Sequence, residues 1–596
     1  MLFSRLALLF IYSHISYAAQ PSAPSAIPAP LRKLPWGQLN FLHTTDAHGW
    51  HAGHLLEASY SADLGDHISF AHHLQKRADE DGSDLLLIDT GDRVEGNGLY
   101  DASDPKGLYT YETIKHQRMD VICSGNHELY KASTSNFEYN TTVPAFKDSY
   151  LASNIDIRDP KTGELVPLAR KFRKFTTKNQ KIRVMAFGFL FNFHGNADNT
   201  VVQNVEDTIQ EKWFQDAIRD KDVDLFLVAG HVPVRNGEFD LIHKAIREVR
   251  WDSNIAFFGG HTHIRDYKKY DKRSYGLESG RYMETLGFMS ISGLSAQSQS
   301  RASPIYERLY IDSNLYSLHA HSGQNRTTFD TELGRNVSAH IAEARKALNL
   351  DHAYGCAPQD YWLNRAPYPS NDSLLTWLET KVIPDTFREK GPAIVLTNTG
   401  AMRFDIFKGP FTIDSTFLVS PFTSGFHTLK DVPYVAASQV LRLLNNEGPI
   451  TLKELIAQGS ADALEDPHAH VQPSEVHEYS LRDQVPLITH DKDLIPGYTT
   501  KDDAGREGDD TIHQEIQFYA VPNAIAANIG FDPALFRTTV VPDTVDLVYN
   551  EFIENWILLA LRYLGVKYAK EDAVKALDGA TFTTIISEWV SANWEC

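Results

Sequence analysis

Cysteine, basic charge and long apolar runs are all scarce in this chain, and each shortage narrows what it can be. Three cysteines stand in 596 residues, so at most one intramolecular disulfide can form. Cys123 lies in an apolar run and reads as a buried thiol. That leaves Cys356 and Cys596, which an oxidising compartment would permit to pair if their Cα atoms came within about 7 Å. Lys and Arg number 57 against 77 Asp and Glu, a formal net charge of −20. Without a basic stripe to offset it, this argues against a nucleic-acid polymer as partner, because such affinity rests on neutralising phosphates with clustered cations. A small anion is still compatible, since bound metal would supply local positive charge that the net figure omits. The apolar stretch 556–561 is flanked by Glu551, Glu554 and Arg562, which speaks against a membrane span. No long apolar tail of the lipid-anchor type appears in 587–596, so no stable membrane anchor is expected.

The N-terminal residues read as a targeting segment. One positive side chain in 1–5, a short apolar stretch at 6–12 and small residues around Ala18 have the pattern of a cleaved signal peptide, residues 1–19. The stretch is too short to span a bilayer comfortably. Residues 20–37 then form a Pro- and Ala-rich tether. The expected destination is the secretory pathway, extracellular, cell-wall or vacuolar. Sequons at Asn140, Asn325, Asn336 and Asn371 are candidate glycosylation sites in that setting.

What the chain does contain is a series of apolar runs that end in polar, metal-type ligands. The runs at 39–42, 85–88, 121–123, 223–228 and 255–258 are followed in turn by Asp46 and His48, by Asp92, by Asn126 and His127, by His231, and by His261 and His263. A sixth run, 184–190, carries none. Apolar strands with helical stretches between them suit a sheet covered on both faces, where ligands gather beyond the carboxyl ends of the strands. Imidazole nitrogen with Asp or Asn oxygen suits Zn, Mn or Fe rather than calcium. The donors exceed the needs of one tetrahedral ion and would serve two divalent or trivalent ions about 3.5–4 Å apart, sharing a carboxylate. Taken singly, His231 or His48 reads as an ordinary loop histidine, Asp92 as a helix cap and Asn126 as a turn residue; the ensemble carries the inference. His43, His51, His54, His67, His72 and His73 crowd the same region without matching positions and are left as solvated or packing residues.

These blocks, TTDAHG, DTGDRVEGNG, SGNHE, AGHV and GGHTH, resemble in content and order those of the calcineurin-like metallophosphoesterases, over roughly residues 39–310. The resemblance implies that Asp46, His48, Asp92 and His263 hold one metal, and that Asn126, His231 and His261 hold the other with Asp92 shared. It also implies in-line attack on phosphorus by a metal-activated hydroxide, with His127 assisting the leaving oxygen. Glu95 stands where purple acid phosphatases place a metal-binding tyrosine and excludes that branch. Many relatives read GNHEFD, the aspartate orienting the histidine. Here Leu129 and Tyr130 follow GNHE, so His127 needs another acceptor, which the sequence does not identify.

The second unit is similar to the C-terminal domain of 5′-nucleotidases. Asn398-Thr399-Gly400-Ala401-Met402-Arg403 resembles their N-x-G-G-x-R motif, whose arginine contacts substrate; Asn126, Asn398, Gly400, Arg403 and Phe422 are the substrate-binding candidates. Phe422 falls where relatives stack an aromatic ring on the nucleobase, and Ser424 where many have an asparagine. Residues 505–510 are only weakly similar to the Gly-Gly-Asp loop of relatives. A second stacking ring is not assigned, with Tyr498, Phe518 and Tyr519 as candidates.

At this length two domains are expected. The chain reads as an α/β protein of the α+β sandwich kind. An N-terminal four-layer metallophosphoesterase domain of two packed sheets flanked by helices spans 38–320, a linker with a helix spans 321–350, and a C-terminal 5′-nucleotidase-like α/β domain spans 351–596. Within the last, strands are expected at 393–397, 412–419 and 518–521, and helices at 374–383 and 545–564. The reading is a secreted dinuclear phosphoesterase acting on nucleotide phosphomonoesters. The alternatives are a phosphodiesterase or nucleotide-sugar pyrophosphate hydrolase, or a secreted protein that binds metal without turnover.

Overall fold

The computed structural model describes residues 31–294, 303–445, 494–495, 518–531 and 542–596. Six strands form a first sheet in the order Ile305–Asp312, Thr285–Ser292, Leu39–Thr44, Asp84–Asp89, Val121–Cys123, Tyr150–Leu151, and six form a second in the order Arg265–Asp271, Ser274–Ser279, Asn254–Phe258, Leu225–His231, Arg183–Leu190, Phe172–Thr176. The central strands of each sheet run parallel, as does the Tyr150–Leu151 edge strand, and antiparallel strands close the other three edges. Period-2 alternation divides their side chains. Leu39, Phe41, Leu86 and Ile88 meet Val184, Leu225, Leu227 and Phe258 between the sheets. Leu42, Leu85 and Leu87 point outward to Phe70 and Leu74 of the Leu64–Asp81 helix. Phe226 and Phe257 likewise meet Phe239 and Ile242 of the Gly237–Val249 helix. Helix, sheet, sheet and helix make the four layers expected for strands buried on both faces.

The C-terminal unit is a five-stranded sheet in the order Ala524–Ile529, Ala393–Asn398, Thr544–Asn550, Phe426–Pro433, Val574–Lys575. Val395 and Val548 pack on one side against Leu378 and Ile586, and Leu396 and Leu547 on the other against Val440 and Ile557. Two expected elements are corrected. Only Gly409–Thr412 of the 412–419 region is strand, and Ile413–Val419 is a helix. Thr412 caps that helix by accepting from Ser415 N at 3.2 Å while its own N–H reaches Ser415 Oγ at 3.0 Å, and this capping box overrides the β-branched composition. Residues 545–550 are strand, paired in parallel with 393–396, and the helix begins only at Glu554. The helix expected within the 321–350 linker is present as Glu332–Ala347. The run at 518–521 is strand only over Phe518–Tyr519, and 1–30, Tyr498 and 505–510 lie outside the described residues. Cys356 and Cys596 are joined, with Cα atoms 4.9 Å apart, and Cys123 is a buried free thiol. Among the described residues no helix is long and apolar enough to cross a membrane.

A mixed core joins the two units. Trp50, Tyr282, Ile341, Leu350 and Phe404 pack together. Beside them Asp414, on the short 413–419 helix, accepts from Gly98 N at 2.9 Å and pairs with buried Arg345, which also reaches Asp351 at 2.6 Å. Buried charges paired on both sides in this way fix a geometry, because removing one partner strands the other.

Candidate metal centre and substrate cavity

His231 ends a parallel strand, and every other candidate ligand sits on the turn that follows one, all at the same end of the sandwich. The turns are tight. Of eleven non-glycine residues with positive φ among the described residues, five are Asp46, His48, Asp92, His261 and His263, a clustering of strained backbone that is common at sites where side chains must be aimed. Two glycines make room. A Cβ on Gly125 would lie 2.1 Å from Asp92 Oδ1, and one on Gly260 would lie 2.3 Å from Thr45 Oγ1.

The donor atoms fall into two overlapping groups. Asp46, His48, Asp92 and His263 each offer one atom within a common 4.8 Å span, as do Asp92, His231 and His261. Asp92 belongs to both. His231 Nε2 is 3.1 Å from Asp92 Oδ2, His263 Nε2 is 3.3 Å from Asp46 Oδ1, and His48 Nε2 is 3.2 Å from His263 Nε2. The opposite ring nitrogens are held: His231 Nδ1 donates to Thr90 O at 2.9 Å, and His48 Nδ1 to Glu95 O at 2.7 Å. This leaves each Nε2 as a lone pair facing the cluster, the arrangement metal-binding imidazoles need. Tyr130, which stands where many relatives have the aspartate of GNHEFD, accepts from Asn126 Nδ2 at 3.0 Å and so turns Asn126 Oδ1 inward.

The charge balance of the cluster is that of a cation site. Asp46 Oδ1 and Asn126 Oδ1 are buried and have no hydrogen-bond partner, a costly state unless another ligand satisfies them. Burial alone would lower His231, yet Asp92 and Asp46 hold it up to about 10. Burial lowers His261 to about 4 and sends His48 and His263 well below the usual range, with Arg403 adding to both of the latter. The donor set fits divalent metals on these grounds.

A buried carboxylate braces two of the turns. Val234 N donates to Glu278 Oε2 at 2.9 Å and the Thr262 hydroxyl donates to Oε1, so one side chain ties the turn after His231 to the one carrying His261 and His263.

His127 is turned by a residue the motif reading used for another purpose. Its Nδ1 lies 2.9 Å from Glu95 Oε2, whose other oxygen takes Lys131 Nζ at 2.7 Å. Although burial opposes the charge, His127 and Lys131 hold Glu95 below the usual carboxylate range. His127 Nε2 then faces the cluster, 4.0 Å from Asp92 Oδ2.

A cavity of about 240 Å³ opens beside it, walled by Glu95, His127 and Lys131 from the first unit and by Asn398, Gly400, Phe422 and Phe552 from the second. Arg403 lies behind Phe422, its guanidinium 5.7 Å from that ring and its Nη2 3.4 Å from His48 Nε2. Asn550 Nδ2 donates to Asn398 Oδ1 at 2.8 Å, which fixes the Asn398 side chain in the wall. Ser424 also lines the cavity. Besides Phe422, the rings of Tyr130, Phe552 and Phe582 line it; Phe552 is one that sequence reasoning missed, and Tyr519 is not among the walls. Phe552 follows the strand that had been read as helix, so the turn carrying it was hidden.

Residues 39–265 match the calcineurin-like phosphoesterase family, and 360–558 match the NAD nucleotidase C-terminal domain. An uncharacterized protein of Schizosaccharomyces pombe is 38% identical over 559 residues, 89% of this chain and 86% of that one. A protein of Arthroderma benhamiae named as a secreted protein is 35% identical over 627 residues, 97% and 93% of the two chains. The crystal structure of a 5′-nucleotidase from Candida albicans superposes with a TM-score of 0.82 at 37% identity, over 95% of this chain and 100% of that one.

Proposed function

Because the chain belongs to the calcineurin-like phosphoesterases of the 5′-nucleotidase type, we propose that it removes phosphate from nucleoside monophosphates, outside the cell or in the secretory pathway. The observation that carries the substrate class is the shared cavity. It is lined by His127 of the phosphoesterase unit and by the Phe422 and Phe552 rings of the other. Rings so placed take a nucleobase by stacking.

The family implies divalent metals. Asp46, His48, Asp92 and His263 would hold one, and Asn126, His231 and His261 the other with Asp92 between. Bound there, the metals would supply an activated water and neutralise charge growing on the phosphoryl oxygens. The remaining steps belong to the protein. Arg403 offers its planar donor fork to the phosphate, for which guanidinium geometry is suited. Asn126 holds the phosphoryl end, and Asn398 and Gly400 shape the wall beside the sugar and base. His127 donates its Nε2 proton to the departing ester oxygen, while Glu95 keeps Nδ1–H occupied and the ring aimed. Asp92 also accepts from His127 N at 2.9 Å, so the shared carboxylate and the acid are set by one backbone segment.

Residues 38–320 would carry the chemistry, 351–596 the recognition, with 321–350 between them. A signal peptide and glycosylation fit the named secreted relative and the exposure of all four sequon asparagines. The NAD nucleotidase match makes a nucleotide pyrophosphate bond the second reading. Product analysis with metal-reconstituted protein, scoring both inorganic phosphate and nucleoside monophosphate, over nucleoside monophosphates, diphosphates, cyclic nucleotides, dinucleotides and nucleotide sugars decides between them. The monophosphates should lead. Cleavage confined to pyrophosphates would replace this reading with the second.

A further inference from the structure

Two of the rings that line the cavity, Phe422 and Phe552, are carried by different segments, and a second cluster of charged side chains ties those segments together. Phe422 precedes the Phe426–Pro433 strand, and Phe552 sits in the Glu551–Ile553 turn after the Thr544–Asn550 strand. Glu551 clasps the first segment twice: its N–H donates to Gly425 O at 3.0 Å, and its Oε2 accepts from Gly425 N at 3.0 Å. Its other oxygen faces His427. The His427 ring lies between two carboxylates, Nε2 at 3.1 Å from Glu551 Oε1 and Nδ1 at 2.5 Å from Glu554 Oε2.

Two ionised carboxylates are acceptors only, and a neutral imidazole has one donor. Both contacts are made at once only by the imidazolium. The other groups around the ring do not change this. Tyr549, directly opposite in the sheet, has its ring 6.3 Å away and turns its hydroxyl to Glu554 at 3.4 Å, and Lys575 is the register partner of His427 in the Val574–Lys575 strand.

We propose that imidazolium His427 is a positioning residue which, by bridging Glu551 and Glu554, fixes the gap between Phe422 and Phe552 and so sets affinity for the nucleoside part of the substrate. The proposal rests on the nucleotide reading given above. A doubly protonated ring completes the bridge, whereas a ring without one of those protons turns a lone pair to a carboxylate and releases the turn bearing Phe552 from one side.

The test is the KM of a nucleoside monophosphate divided by that of glycerol 2-phosphate, measured across pH 5–9; both are monoesters, so ionisation of the phosphate and the metal site cancels. Wherever pH removes a proton from the ring, this ratio should rise about five- to tenfold, the worth of one partly exposed hydrogen bond. His427→Gln should show the high ratio at every pH, with kcat nearly unchanged. Glu551→Gln can still accept from Gly425 N while its amide donates to a neutral imidazole, so it should keep the low ratio and flatten its pH dependence. A parent that prefers nucleotide while His427→Gln keeps the parent's ratio overturns the bridge alone. A parent that binds both esters equally overturns the nucleotide reading and the bridge with it.

Discussion

Glu95 illustrates how a side chain takes its role from where its loop folds. A histidine that protonates a leaving group must present one nitrogen and hide the other, and the partner of the hidden nitrogen decides which is which. Here the acceptor comes from the Asp92 turn, 32 residues before His127, and is itself pinned by Lys131. Glu95→Gln should therefore lower kcat on alkyl phosphates by about 10-fold to 10²-fold, because the amide can hold the ring in the wrong tautomer. His127→Ala should cost about 10²–10⁴. Both losses should shrink on nitrophenyl phosphate, whose leaving group needs little protonation, while elemental analysis shows unchanged metal. Metal loss in either variant would make the residue structural. Before the structure, Glu95 served only to exclude one branch, since nothing in its local sequence announces a contact that depends on two turns meeting.

At the level of elements, the site was legible where a short motif is covalently continuous with the strand that carries it. Asp46, Asp92 and His231 follow apolar runs directly, so finding the strands placed the side chains. The turns obey close steric limits, which gives a second prediction. Gly125→Ala would bring a methyl within 2.1 Å of Asp92 Oδ1, and the turn must move to relieve it. Metal content should fall from about two per chain in the parent and turnover with it; full retention of both would show that the Asp92 turn is not a rigid part of the centre. The C-terminal elements were less legible. The 413–419 segment has strand-like composition but a helix cap at Thr412, and the 544–550 strand is joined to a helix closely enough that the two read as one. Missing that boundary hid Phe552. The Cys356–Cys596 bridge was left open by the sequence because pairing depends on distance in space. It closes the Ala353–Ala357 strand against the end of the Phe582–Asn593 helix, and Cys596→Ser should lower the thermal midpoint, removing about 2–4 kcal/mol of stabilisation, with activity at 25 °C nearly unchanged. An unaltered midpoint would show that the bridge adds nothing.

Across the whole molecule, neither unit forms the cavity alone. The first brings His127 and Glu95 to one side, the second brings Phe422, Phe552 and Asn398 to the other, and the paired buried charges at Asp414 and Arg345 hold the two in register. Chemistry and recognition are therefore separable by mutation. The direct measurement is kcat/KM for a nucleoside monophosphate and for glycerol 2-phosphate in the parent and in Phe422→Ala, with metal content checked in both. Loss of base stacking should lower the nucleotide value by about 1–3 kcal/mol, roughly 5- to 150-fold, and leave the baseless ester nearly unaffected. Equal losses on the two substrates would contradict the account, because Phe422 would then support the fold rather than a nucleobase.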